Sequence, residues 1–359
     1  MASALLFIII FMAVCGSQVS YCRELHDSNN NNIEEDGIKA LSKRHEEWMV
    51  RHGKVYKSAQ EKEIRFNIFK ENVKFIESFN KHEKKYSFKI SMNKFGDMAN
   101  HEFRALRNGY KSTAASSTSS SSRPTSSMLF KYENVTHSSI PSSIDWREKG
   151  AVTPIKDQQT CGSCWVFSAV AATEGITKIK KGKLISLSEQ QILDCDTNPD
   201  DQGCRGGLME NAFNFIAKNG GITSEYAYPY KAEQSTCATT KRLYNVAKIK
   251  GYQAVPQNSE AELLKAVAHQ PVSVAIEGGG QYFQFYSSGV FTGDCGTTLD
   301  HGVTVVGYGT DEEEGTKYWL VKNSWGTNWG EEGYVRIQRD VGQKQGLCGI
   351  AMDASYPVV

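Results

Sequence analysis

Sulfur chemistry is open to this chain at Cys161-Gly162-Ser163-Cys164-Trp165, which runs directly into Val166-Phe167-Ser168-Ala169-Val170-Ala171-Ala172-Thr173-Glu174. No charge occurs before Glu174, and Phe167, Val170 and Ala171 recur at three- and four-residue intervals, the pattern of a buried helix. A cysteine in the first turn of such a helix faces unpaired backbone N–H groups and the positive end of the helix dipole, and both favour thiolate over thiol. Cys164 is therefore a candidate nucleophile. The Cys-x-x-Cys spacing alone is also open to a redox dithiol, half of a zinc site, or two unrelated cysteines of which one sits in a structural disulfide.

The elements that must position this sulfur can be read from pattern. Residues 1–20 hold the apolar run Leu5 to Val14 followed by small residues, which reads as a secretory signal peptide rather than a membrane span. Removing Cys15 and Cys22 with or near that leader leaves seven cysteines, an odd number that in an oxidising compartment suggests three disulfides and one free thiol. Helical periodicity runs from Ile38 to His52 and from Ala59 to Phe79. A short strand is expected at Phe88 to Met92, and a short helix is suggested by Phe95, Met98, Phe103 and Leu106. Residues 112–127 are serine-rich and can form no core, so they read as a tether exposed to cleavage. Asn134-Val135-Thr136 is a glycosylation sequon just beyond it.

From Ile140 the reading is helices first (Cys164 to Lys180, Ser188 to Leu193, Leu208 to Asn219), then one helix at Ser259 to His269. Strands follow at Val272 to Ile276, Val303 to Tyr308, Tyr318 to Lys322 and Gly333 to Ile337. A helical lobe followed by a sheet lobe is an α+β arrangement with a cleft between. The chain carries 21 Lys/Arg against 15 Asp/Glu before Ile140 and 20 against 25 from there on. Neither half has the basic excess of a nucleic-acid binder, and the opposite signs suit two parts that lie together.

Two further stretches bear on Cys164. His301 opens Leu299-Asp300-His301-Gly302-Val303 and Asn323 lies in Lys322-Asn323-Ser324-Trp325-Gly326, 137 and 159 residues beyond the cysteine. A lone histidine before a strand is more often structural, an Asn-Ser pair is usually a turn, and a lone glutamine is usually on the surface. Taken together and in this order with Gln158-Gln159-Thr160-Cys161-Gly162-Ser163-Cys164-Trp165, they resemble the papain-like cysteine proteases. Glu61, Arg65, Phe69, Asn72, Ile76 and Asn80, with Asn93, Phe95 and Asp97 after them, resemble the interrupted propeptide motif of the cathepsin L-like branch, although Ser91 stands where glycine is usual.

The resemblance implies a papain-like two-lobed α+β fold, with a helical left lobe and an antiparallel β-barrel-like right lobe, preceded by a mainly helical inhibitory propeptide. It implies a signal peptide to about residue 20, a propeptide over 21–139 with its inhibitory domain at about 38–110, and a mature endopeptidase over 140–359. Cys164 would be the nucleophile, paired as thiolate with a His301 imidazolium; Asn323 would orient the imidazole, and Gln158 would furnish an oxyanion hole. Substrate contacts would come from Gly206, Gly207, Leu208, Met209, Ala275, Leu299, Asp300, Gly302 and Trp325, with Asp353 at the floor of the S2 pocket, where many relatives are apolar. That pocket would take apolar side chains and, if Asp353 points inward, basic ones. Gln159 stands where relatives mostly have glycine. Disulfides Cys161–Cys204, Cys195–Cys237 and Cys295–Cys348 would leave Cys164 free. No cofactor, metal or nucleic acid is implied; the partners are polypeptide substrates, the chain's own propeptide and cystatin-type inhibitors. The product is expected to be a monomer with a glycan at Asn134, in the vacuole or lysosome or outside the cell. The alternative is a catalytically weak, protease-shaped binding or storage protein.

Overall fold

The computed structural model describes residues 36–82, 85–111, 130–240 and 244–359, so the leader, residues 23–35 and the tether at 112–127 lie outside it. The chain divides into two compact units, one ending at Glu71 and one running from Asn72 to Val359. In the first, helix α1 (36–52) meets the opening turns of α2 (Ala59–Asn80). Aromatic rings hold them together: the buried His45 lies 4.9 Å from Phe69 and 5.4 Å from Phe66, and Trp48 lies 5.3 Å from Phe69.

In the second unit the asparagines of the interrupted motif tie α2 to the chain that follows. Asn72 Nδ2 donates to the Gly96 and Met98 carbonyls at 2.9 and 3.0 Å, and Asn80 Nδ2 to the Ile90 carbonyl at 3.3 Å. Ser91 keeps a negative φ, so glycine is not needed there. Helix α3 (Asn100–Arg107) starts with Glu102 accepting from the Ala99 N–H. Phe95 and Met98, read as part of this helix, instead occupy the turns before it.

The helical lobe consists of α4 (Cys164–Lys181), α5 (Glu189–Cys195) and α6 (Met209–Lys218). Helix α4 is buried over most of its length because its first ten residues carry no charge. It stops at Gly182, whose left-handed conformation lets its N–H close on the Lys178 carbonyl. The sheet lobe carries α7 (Glu260–Val267), α8 (Gln281–Gln284) and a nine-stranded sheet. Its strands are β1 (Phe88–Ile90), β2 (Ile144–Asp145), β3 (Gly251–Ala254), β4 (Val272–Ile276), β5 (Tyr286–Phe291), β6 (His301–Thr310), β7 (Lys317–Lys322), β8 (Tyr334–Gln338) and β9 (Ala354–Val358).

The ladder order is β1-β5-β8-β7-β6-β4-β9-β3, with β2 paired to β6. Every named pair is antiparallel except β5 with β8, because the chain passes through β6 and β7 before returning beside β5. The lobe is thus a mixed sheet rather than an antiparallel one, and no ladder joins β1 to β3 among the described residues. Strand β6 is buried along all but its last residue, with α4 against it: Ser168 Oγ donates to the Val303 carbonyl at 2.6 Å. None of the described helices is long and apolar enough to cross a membrane.

Candidate active site

Two adjacent elements bring the chemistry together. Cys164 is the first residue of α4, and His301 is the first residue of β6, the strand that α4 packs on. The β6–β7 register pairs Thr304 with Lys322, so the chain leaving β7 carries Asn323 and Trp325 back alongside His301. Asn323 Oδ1 accepts from His301 Nε2 at 2.8 Å and from the Ser324 N–H at 2.8 Å. The second donor fixes which amide atom is oxygen, and therefore which imidazole nitrogen carries hydrogen. Nδ1 is left as the basic nitrogen, buried and without a hydrogen-bond partner. Trp325 stacks on the imidazole with ring centres 4.5 Å apart and planes 24° from parallel, and so keeps water from the His301–Asn323 bond.

Gln158 is wholly buried and held at every polar atom. Its N–H donates to the Ser324 carbonyl, its Oε1 accepts from Ser324 Oγ at 2.7 Å, and its Nε2 donates to the Cys161 and Arg107 carbonyls at 2.9 Å each. Disulfides join Cys161 to Cys204, Cys195 to Cys237 and Cys295 to Cys348; among the described residues Cys164 is the free cysteine. With Cys161 bonded to Cys204, the Cys-x-x-Cys pair is neither a dithiol nor half of a metal site. No cluster of three or more His, Cys, Asp or Glu side chains suited to a metal occurs among the described residues.

Comparison with known proteins agrees with this geometry. Residues 140–358 match the model of the papain family cysteine proteases, and residues 45–103 match that of the cathepsin propeptide inhibitor domain. The chain belongs to the papain family of cysteine proteases. It is 53% identical over 354 residues to the senescence-specific cysteine protease SAG12 of Arabidopsis thaliana, covering 99% of this chain and 97% of the relative. It is also similar to the crystal structure of the ragweed pollen allergen Amb a 11 cysteine protease in its proform, with a TM-score of 0.80 and 46% identity over 89% of this chain and 95% of the other. A bromelain from Ananas comosus in complex with the E64 inhibitor matches 61% of this chain and all of its own at 52% identity and a TM-score of 0.59. The protein is thus a thiol endopeptidase made with an inhibitory propeptide, and the family fits a location in the secretory pathway, the vacuole or lysosome, or outside the cell.

In this protease residues 107–111, just beyond the matched inhibitor domain, lie over Cys164 and Gln158. The Arg107 carbonyl takes the Gln158 amide, and the Arg107 guanidinium donates to the Gln159 carbonyl. The Gly109 N–H points at Cys164 Sγ at 3.2 Å, beside the Gly302 N–H at 3.4 Å. A Cβ on Gly109 would lie 1.8 Å from the Gly162 carbonyl oxygen, so only glycine lets the backbone come this close. Tyr110 forms a parallel bridge with Gly207, its N–H bonds the Asp300 carbonyl, and its ring enters the apolar cluster containing Met209, Ala275 and Leu299, with Leu208 at its edge. The Tyr110 hydroxyl donates to Asp353 Oδ2, so that carboxylate faces the pocket. Gly206 and Gly302 border the same space: a Cβ on either would crowd Gly109 or Met209. Gln159 is exposed with φ of 53°, which explains why glycine suits that position. Asn134 lies apart from the cleft, exposed in a turn.

Covering the cleft reverses the electrostatics expected from the helix terminus. Burial pushes the Cys164 thiol up to about 11 despite the N–H groups of Gly302, Gly109 and Trp165. It pushes the His301 imidazole down to about 4 despite the bond to Asn323. Between those values the pair is uncharged under the pro-segment.

Several contributors give no sequence signal. Tyr230 donates its hydroxyl to the Gln158 carbonyl at 2.9 Å, lies 2.7 Å from Ser163 Oγ, and sets its ring edge-on to Phe167. It thereby clamps the loop that carries Gln158 to the start of α4. A second set is ionic: Lys156 Nζ bonds Glu174 at 3.1 Å and Glu189 at 2.7 Å, and Lys322 Nζ bonds Thr153 Oγ1, which itself donates to Glu174 at 2.6 Å. A cavity of about 20 Å³, room for one water, separates this cluster from Asn323 and Ser324.

Proposed function

We propose that residues 140–359 act as a cysteine endopeptidase with Cys164 as nucleophile, once a signal peptide over residues 1–20 and a pro-segment over 21–139 have been removed. The family matches at 45–103 and 140–358 support this division, and the serine-rich tether at 112–127 is a segment that proteases can reach. The observation that carries the reading is one arrangement: Asn323 fixes the His301 tautomer, His301 begins the strand beside the Cys164 helix, and Gln158 Nε2 already holds a carbonyl oxygen.

With the pro-segment gone, water and the helix terminus favour charge again, and Cys164 passes its proton to His301 Nδ1. The thiolate adds to the scissile carbonyl, and the resulting oxyanion sits at Gln158 Nε2 in the place now taken by the Arg107 oxygen. The His301 imidazolium protonates the leaving amine, and water then hydrolyses the thioester with His301 as base. The pocket of Leu208, Met209, Ala275, Leu299 and Gly302 takes the P2 side chain. Its walls favour leucine, valine or phenylalanine, and Asp353 at its end favours arginine or lysine. Asp300 and Gly207 supply main-chain bonds to the substrate, the exposed Asn134 suits a glycan, and the opened cleft suits cystatin-type inhibitors.

The test is to express the chain from Arg23, hold it at about pH 4 to 5 with reductant, and follow fragment masses and dipeptidyl amide hydrolysis. Loss of about residues 23–139 with activity absent in Cys164→Ala is expected. Correctly oxidised mature protein that neither turns over substrate nor reacts with the E64 inhibitor would overturn the assignment.

A further inference from the structure

The Gly207 backbone pairs with the pro-segment on one side and is held by an aspartate on another. Its N–H donates to the Gly109 carbonyl at 2.9 Å and its carbonyl accepts from the Lys111 N–H at 3.2 Å. This is the main-chain pairing proposed above for substrate, and the inference rests on that reading. Asp201 Oδ1 accepts from the Leu208 N–H at 3.0 Å and from Asn211 Nδ2 at 3.2 Å, and a Cβ on Gly207 would lie 2.6 Å from it. One carboxyl thus ties the substrate-facing backbone to the start of α6.

Asp201 is in turn bonded to a second carboxyl. Asp196 follows the last residue of α5, its Oδ1 accepts from the Asn198 N–H at 3.0 Å, and its side chain hydrogen-bonds that of Asp201. The other oxygen of each, Oδ2, is buried and meets no N–H or O–H donor. Carboxylate oxygens only accept, so a bond between two carboxyls requires a proton held by one of them. Burial and Asp196 push Asp201 up to about 8 against the opposing Asn211 and Leu208 donors, and no cation is among its chief influences. The other charges on these elements are engaged elsewhere or exposed. Asp194 of α5 bonds Gln190, Tyr228 and Ser235, and Glu189 pairs with Lys156. Glu210 and Lys218 stand in the first and last turns of α6, and Asp200 and Arg205 are exposed on the loop.

We propose that Asp196 and Asp201 share one proton, that this proton keeps Asp201 on the Leu208 N–H, and that Asp201 is thereby a positioning residue for the Gly207 edge on which substrate lies. With the proton present, the two side chains form a hydrogen bond. Without it, two buried carboxylates repel at contact, Asp201 withdraws and the edge loosens. Because the folded-state value is raised, the proton is kept through the acid and neutral range and lost as pH rises through about 8.

The test uses the acid-matured enzyme and one dipeptidyl amide, with kcat and KM measured separately from about pH 5 to about 9. The parent is compared with Asp196→Asn, whose amide donates to Asp201 and has no proton to lose. The parent KM should rise about fivefold across pH 8, the effect of one lost backbone hydrogen bond, while the variant keeps its acid value. The kcat profiles should run parallel, since both enzymes keep the Cys164–His301 pair. Hydrogen exchange of the Leu208 amide, compared at the same alkaline pH, should be about fivefold faster in the parent. Asp201→Asn places the amide on the other partner and should also give a flat KM, so misfolding of one variant leaves the other to decide. A parent KM that does not rise, a rise shared by both variants, or a rise without faster Leu208 exchange would each overturn the proposal and leave the peptidase assignment standing. A parent that cleaves nothing at any pH would overturn that assignment and this inference with it.

Discussion

Two sets of buried ionisable groups lie ten residues apart on α4 and meet opposite fates. At its start, Cys164 and His301 are driven to their neutral forms by burial. At Glu174, burial also opposes charge, but Lys156 and Lys322, with bonds from Thr153 and the Leu187 N–H, outweigh it and hold the carboxylate below its ordinary range. Lys156 in turn is held above its ordinary range because Glu174 and Glu189 overcome its burial. The difference is one of partners. At Glu174 the facing cations outweigh burial and keep the charge; at Cys164 and His301 only neutral dipoles touch, and burial discharges the group. Cys164 and His301 are covered by residues 107–111, the segment we propose is removed on maturation, whereas the ionic cluster is built from residues of the peptidase domain alone.

Breaking the permanent cluster should have the largest effect. Lys156→Met leaves the buried Glu174 carboxylate and the neighbouring Glu189 carboxyl without their shared cation, which costs about 3–5 kcal/mol by analogy with other broken buried pairs. A fall in Tm of roughly 10 °C or more, or failure to accumulate folded zymogen, is expected, while Cys164→Ala should melt within a degree or two of the parent. Equal melting of Lys156→Met and the parent would remove the contrast.

Breaking the removable cover should change reactivity rather than stability. In Gly109→Ala the added carbon has no room against the Gly162 carbonyl, so the pro-segment lifts from the sulfur. Labelling of Cys164 in the intact zymogen by a small thiol reagent should rise at least about tenfold at pH 7, and its pH midpoint should move well below the value near 11 of the covered thiol. An unchanged midpoint would mean that residues 107–111 do not set the charge state.

The mildest effect concerns the third carboxylate of the ionic cluster. Burial pushes Glu189 up to about 8 from an ordinary 4.5; Lys156 opposes this, and Glu174 and Glu225 add to it. The native state therefore holds a proton that the unfolded chain releases first. Its stabilising contribution is complete below about 4.5 and drains away as pH rises toward 8. Thermal melts of the zymogen should show a Tm that declines across that window, and Glu189→Gln should flatten the decline by a few degrees.

These contrasts also mark what the sequence could say. Cys164 was legible from the pattern of the helix it begins, whereas His301 and Asn323 drew their reading from the family resemblance; the elements beside them, α4, β6 and β7, were placed with their starts or ends within two residues. Phe88–Ile90 was legible as a strand from its alternation, but its pairing with Tyr286–Gly289 about 200 residues away was not, since long-range register leaves no local trace. Strands β3, β5 and β9 lacked the alternation that marks a half-buried strand. The lysines and glutamates of the ionic cluster look like any solvated surface charge until folding brings them together. Tyr110 and Gly109 lie between a short helix and a low-complexity tether, where periodicity ends and only contact with the cleft gives them meaning.

The Gly109 contact has a consequence for how the chain matures in an oxidising compartment. Cys164 lies three residues from Cys161 and could compete with it for Cys204, and attack on a forming disulfide requires an accessible thiolate. Once residues 107–111 settle on α4, that sulfur is buried, protonated and capped by a backbone N–H. The six other thiols of the peptidase body are then left to exchange only among themselves, so the segment that silences the enzyme also guards its nucleophile against scrambling.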